Sequence, residues 1–189
     1  WVLMTTWGGA CSAQTVEPAP HQTVDIRVAR EHCGFEIGRL KDRLISSSVE
    51  SIDDDRFYMH YSFLIDAHHR ALTGVISFNC NRRGISRPDL TAPVLSPRDL
   101  VASEDSGGRY GRHVAWQKSI AGSNWSAEVA FIDRVLGDSQ ITHVSNFVVC
   151  NAEVATPCFD VTLDSPHKIN VKEQEIILDF IGKISPVEG

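Results

Sequence analysis

Five of the 189 residues are cysteines, and four of them, Cys33, Cys80, Cys150 and Cys158, are spread along the chain where they can pair. In an oxidising compartment such residues form structural bridges, each contributing about 2–4 kcal/mol by restricting the unfolded chain. Four cysteines allow about three pairings, and side-chain alternation favours one of them. Cys33, Phe35 and Ile37 share a face of an expected strand, and Ile76, Phe78 and Cys80 share the apolar face of another, which favours Cys33–Cys80. Cys150 and Cys158 flank the segment Asn151 to Pro157, where a bridge would clamp a hairpin. The spacing is not that of a zinc site, whose ligand pairs sit about two to four residues apart.

The eight histidines raise the question of a metal site. His68 and His69 are adjacent and point to opposite sides of an extended chain, His60 lies on a strand's polar face, and His113 and His143 begin or lie within strands. No H-x-H or H-E-x-x-H spacing occurs, so they read as surface or hydrogen-bonded side chains. Asp53-Asp54-Asp55 lacks the spaced acids and glycine of a calcium loop and reads as a solvated turn. Glu104-Asp105-Ser106-Gly107-Gly108 resembles the sequence around the nucleophile of chymotrypsin-like proteases, and Ala67-His68 echoes their histidine motif. Positions 68 and 106 are too close together for that two-barrel fold, and Glu104 stands where the family has Gly, so a Gly-rich turn is expected. Asn124-Trp125-Ser126 fits an N-glycosylation sequon, which would be idle in a bacterium. No catalytic residue, metal or cofactor is assigned, and a protein that is not an enzyme is expected.

Two segments suit recognition of a protein. One is the basic, Pro-rich connection 81–98 with Arg82, Arg83 and Arg87; the other is the loop Gly107 to His113, where Tyr110 stands between Arg109 and Arg112. Tyr and Arg are favoured in interface hot spots, and loops displayed on a rigid sheet are common binding elements. The acidic turn Asp53, Asp54, Asp55 is a third candidate contact. Lys plus Arg is 18 against 24 for Asp plus Glu, a net charge of −6. That balance argues against nucleic acid, whose phosphates need an excess of cations, and suits a basic protein partner.

The elements that must hold these residues alternate mostly at period two. Expected strands run over 44–52, 57–65, 71–80, 113–120, 125–133, 141–150 and 158–163, joined by turns at Asp53-Asp54-Asp55, His68-His69-Arg70, 121–124 and 137–139. Ser96-Pro97-Arg98-Asp99 is a helix start signal. The clearest element is a C-terminal helix capped by Asn170 with Glu173 three residues on. Its apolar stripe is Ile176, Ile177, Phe180, Ile181 and Ile184, Asp179 and Lys183 pair on its wet side, and Pro186 ends it. The fold class is therefore α+β: mainly antiparallel sheet in meanders, one short helix, and a C-terminal amphipathic helix packed on the sheet.

Residues 1–13 read as the end of an export signal, 14–23 as a tether and 24–189 as a single domain. No apolar run approaches the roughly 18 residues of a membrane span, so a membrane link would come from the N-terminus. Gly8-Gly9-Ala10-Cys11-Ser12 resembles a bacterial lipoprotein processing site, which implies lipidation of Cys11; the alternative is ordinary cleavage after Ala13. Both leave the same four-cysteine domain. In leader and architecture (Gly9-Ala10-Cys11 followed by a disulfide-bearing, strand-rich domain) the chain resembles the periplasmic immunity proteins that neutralise type VI secretion effectors. That resemblance implies a periplasmic or envelope location and a cognate toxin as partner. The other class open to such a sequence is an accessory lipoprotein of an envelope complex, and the third a hydrolase with residues scattered over strands.

Overall fold

Seven strands, β2 to β8, form one fully antiparallel sheet in the computed structural model, which describes residues 24–67, 69–85, 94, 96–104, 114–122, 124–136, 142–153, 158–165 and 167–187. The strands are β2 (Leu44–Ser51), β3 (Arg56–Asp66), β4 (Ala71–Asn81), β5 (Val114–Ala121), β6 (Ser126–Leu136), β7 (Thr142–Asn151) and β8 (Phe159–Ser165). Their order is β2-β3-β4-β8-β7-β6-β5, so two meanders meet edge to edge where β4 pairs with β8. Two-residue strands β1 (Phe35–Glu36) and β9 (Ser185–Pro186) form a separate antiparallel pair. Helices α1 (Pro97–Glu104) and α2 (Val171–Ile181) complete the fold. The expected α+β class, with the last helix on the sheet, is what the chain adopts.

Strict alternation decides which face is dry. Phe57, Met59, Tyr61, Phe63 and Ile65 of β3, Ile76 and Phe78 of β4, and Phe159, Val161 and Leu163 of β8 are all buried on one side. Burial of each large apolar side chain stabilises the fold by about 1.5–3 kcal/mol. Helix α2 lies over this face between β3 and β5: Phe180 lies 4.6 Å from Phe63 between ring centres, and Trp116 on β5 donates to Gln174 at 3.1 Å. The N-terminal segment fills the remainder, with Phe35 5.0 Å from both Phe78 and Phe159.

On the opposite face, α1 covers β6 and β7 through Val101, Ile132, Val148 and Cys150. The same face of β2, β3 and β4 carries Tyr58, His60, Ser62, Leu64, Val75, Ser77 and Asn79, and there Tyr58 and Leu64 are 39% and 42% exposed. The molecule thus buries one sheet face over its central strands, leaving edge strand β2 exposed, and the other face over β6 and β7.

Two local expectations differ from the structure. Cys33 ends a π-helical turn, Ala29–Cys33, and is separated from the short strand by Gly34, whose φ of 81° suits a residue without a Cβ. Cys33, Phe35 and Ile37 are all buried, so the apolar pattern holds although the backbone that carries it is a turn and not a continuous strand. Helix α2 ends at Gly182, before Pro186; Ile184 is buried beyond the helix, and Pro186 pairs with Phe35. The Asn170–Glu173 capping box and the Asp179–Lys183 pair at 2.7 Å are both present.

Candidate functional site

Both disulfides form as the alternation and spacing favoured: Cys33–Cys80 across 47 residues and Cys150–Cys158 across 8. Together they suggest an oxidising, extracytoplasmic environment. Among the described residues no helix is long and apolar enough to cross a membrane.

The first bridge braces a charged end of the sheet. Cys80 is the register partner of Phe57 on β3, and the π-helical turn that holds Cys33 also sets His32 against Phe57 and against the carbonyl of Asn81, at 3.0 Å. Immediately beyond lie two of the sequence-predicted segments, brought together from positions 28 residues apart. Asp53 builds the β2–β3 turn: its carboxylate accepts the backbone N–H groups of Asp55 and Arg56 and pairs with the Arg56 guanidinium at 2.7 Å. That Arg56 hydrogen bond, with the backbone donors, holds the Asp53 carboxyl below its ordinary range. Arg83 reaches Asp55 at 2.8 Å, while the Arg82 guanidinium stacks 5.3 Å over the Phe57 ring and donates to Ser51. Gly84, with φ of 91°, allows the tight turn after β4 that presents both arginines. Asp54 makes no ion pair among the described residues, and the triplet acts as an Asx-type turn.

Arg87, Arg109, Tyr110 and Arg112 lie outside the described residues, as do Cys11, residues 1–23, His68, His113 and the segment from Asp105 to Gly108. Among the described residues, no group of three His, Cys, Asp or Glu side chains is arranged to hold a metal ion.

Two polar constellations that the sequence reading did not single out become visible in three dimensions. On the dry face, where β6, β7 and β8 meet the start of α2, Asp133 lies 3.7 Å from His143 and 3.5 Å from Lys168, and Ser145 donates to it at 3.3 Å. Beside it Arg70 grips Glu173 with two hydrogen bonds, at 2.7 and 3.0 Å, and donates to Ser165 at 3.1 Å. The arginine keeps the buried Glu173 carboxyl below its usual range against the opposing effect of desolvation. Ser145 is 1% exposed, which removes it from reach of a substrate, and this group reads as a polar plug securing α2 to the sheet. On the open face, His60 lies between Glu50 and Ser77, with its Nδ1 2.9 Å from the Ser77 hydroxyl and its Nε2 3.4 Å from Glu50. The signal for this second group was present as polar positions on three alternating strands; register was needed to align them.

No protein-family model, no curated protein and no solved structure matches the chain.

Proposed function

We propose that this chain is an exported protein-binding domain, and that its partner is an antibacterial toxin which it neutralises as an immunity protein. The observation that carries the reading is the convergence of the acidic turn Asp53–Asp55 with Arg82 and Arg83 at one disulfide-braced end, next to the uncovered face of β2–β4. A bridge at the base of a charged surface lowers the ordering cost of binding. The ion pairs there are exposed and screened by solvent, so exchanging them for charges on a partner costs little. The net charge of −6 favours encounter with a basic protein.

The experiment is co-expression with the product of the neighbouring gene, directed to the periplasm. The reading expects a stable one-to-one complex and protection of the cells. Both should weaken in the charge-reversed variant Asp54→Lys/Arg83→Glu, whose melting temperature should match that of the unmodified protein. No complex and no protection would refute the proposal.

A further inference from the structure

We propose that Ser77 is an activated nucleophile for acyl transfer, with His60 as its base and Glu50 as a positioning residue for that base. The three residues come from three adjacent strands. His60 on β3 is the register partner of Ser48 on β2 and of Ser77 on β4, and Glu50 is the partner of Tyr58, one same-face step along β3. His60 Nδ1 lies 2.9 Å from Ser77 Oγ and His60 Nε2 lies 3.4 Å from Glu50 Oε2, while the Tyr58 ring stacks on the imidazole at 6.0 Å. A carboxylate beside Nε2 favours the tautomer that carries its proton there. The Nδ1 lone pair is then free to accept the serine proton.

Burial does not require this alignment. Glu50 is 72% exposed and His60 24%, so water could satisfy each group separately. The neighbouring Ser62, on the same face of β3, has no such base beside it among the described residues. The trio shares no residue with the charged end invoked for partner binding and lies beside it on the uncovered face of β2–β4.

The step balances within these residues and water. Ser77 Oγ forms a bond to the ester carbonyl carbon as its proton passes to His60 Nδ1. The tetrahedral intermediate collapses, the C–O bond to the leaving alcohol breaks, and that alcohol takes the proton from Nδ1. A water molecule, deprotonated by His60, then releases the acyl group from Ser77 as a carboxylic acid and restores the serine.

The surroundings define the substrate class. Around Ser77, over Gly74–Phe78, β4 pairs with β3 on one side and β8 on the other, so the backbone N–H groups there are engaged in the sheet and supply no oxyanion hole. Asp160, the register partner of Ser77 on β8, adds an acidic neighbour that disfavours an oxyanion. Both features select esters with acidic leaving alcohols over amides.

The test uses the full oxidised chain with a fluorophosphonate probe and p-nitrophenyl acetate. The expected result is a single phosphonyl adduct on Ser77, and p-nitrophenol release that falls roughly a hundredfold in Ser77→Ala and in His60→Gln. Ser62→Ala should leave both unchanged. Glu50→Gln should lower kcat without raising KM, and Glu50→Asp should restore part of the loss. Absence of an adduct on Ser77, or turnover in Ser77→Ala equal to that of the unmodified protein, overturns the proposal. If Ser77→Ala proves destabilised, Ser77→Cys decides the matter. His60 should make that thiol react with iodoacetamide faster than the thiol of Ser62→Cys, and equal rates overturn the assignment.

Discussion

Replacing Cys33 and Cys80 together by alanine should destabilise the protein more than replacing Cys150 and Cys158, and the reason is the length of chain each bridge closes. The first spans 47 residues and the second 8. Loop-closure entropy then assigns about 4 kcal/mol to the first and about 2.5 kcal/mol to the second at room temperature. Cys33, Cys80 and Cys150 are nearly fully buried and Cys158 only partly, so lost sulfur packing adds to the larger loss expected for the first bridge. Against a total stability of about 5–15 kcal/mol, the first loss is a large fraction. In a domain of this size it corresponds to a fall in melting temperature of about 10–15 °C. Urea unfolding of the two double variants and the oxidised parent, followed by circular dichroism, measures the ranking directly. Equal stabilities for the two variants, or the opposite order, would refute the argument that unfolded-chain entropy sets the difference.

Two further perturbations probe the sheet and its helix. Arg70→Met leaves the Glu173 carboxylate, only 8% exposed, without its cation and should cost about 2–3 kcal/mol in urea unfolding at neutral pH, since Arg70 itself is partly wet. Because the folded-state pKa of Glu173 is depressed, its contribution is present above the unfolded-state value of about 4.3 and is lost as pH falls through the lower folded-state value. The stability difference between variant and parent should therefore shrink on acidification, and a difference that stays constant would show that the pair is not its source. Gly74→Ala tests the seam between the meanders. A Cβ there would strike the backbone oxygen of Thr162 and come within 2.7 Å of the Phe63 ring, so a loss of about 1–3 kcal/mol is expected from thermal melts. An unchanged melting temperature would mean that β4 and β8 are less tightly apposed.

The local elements were legible because each rests on a pattern of neighbouring residues. Period-two alternation in Arg56–Asp66 and Ala71–Asn81 sorts those strands into a dry and a wet face without tertiary information. The Asn170–Glu173 capping box and the stripe through Phe180 and Ile181 define α2 in the same way. Alternation also favoured the Cys33–Cys80 pairing, because two cysteines that point inward with their apolar neighbours are on the side where they can meet.

What lay beyond the sequence was everything set by which strand neighbours which. The joining of the two meanders at β4 and β8 follows from burying Ile76 and Phe78 beside Phe159 and Val161, a choice made by the whole core rather than by any short segment. Cys33 sits on a π-helical turn because the chain must fold back over β4 there, and Gly34 permits the change of direction. The meeting of Asp55 with Arg83, and of Glu50 with His60 and Ser77, likewise depends on cross-strand register. One-dimensional alternation assigns a side chain to a face; only packing and register decide which partner it finds there.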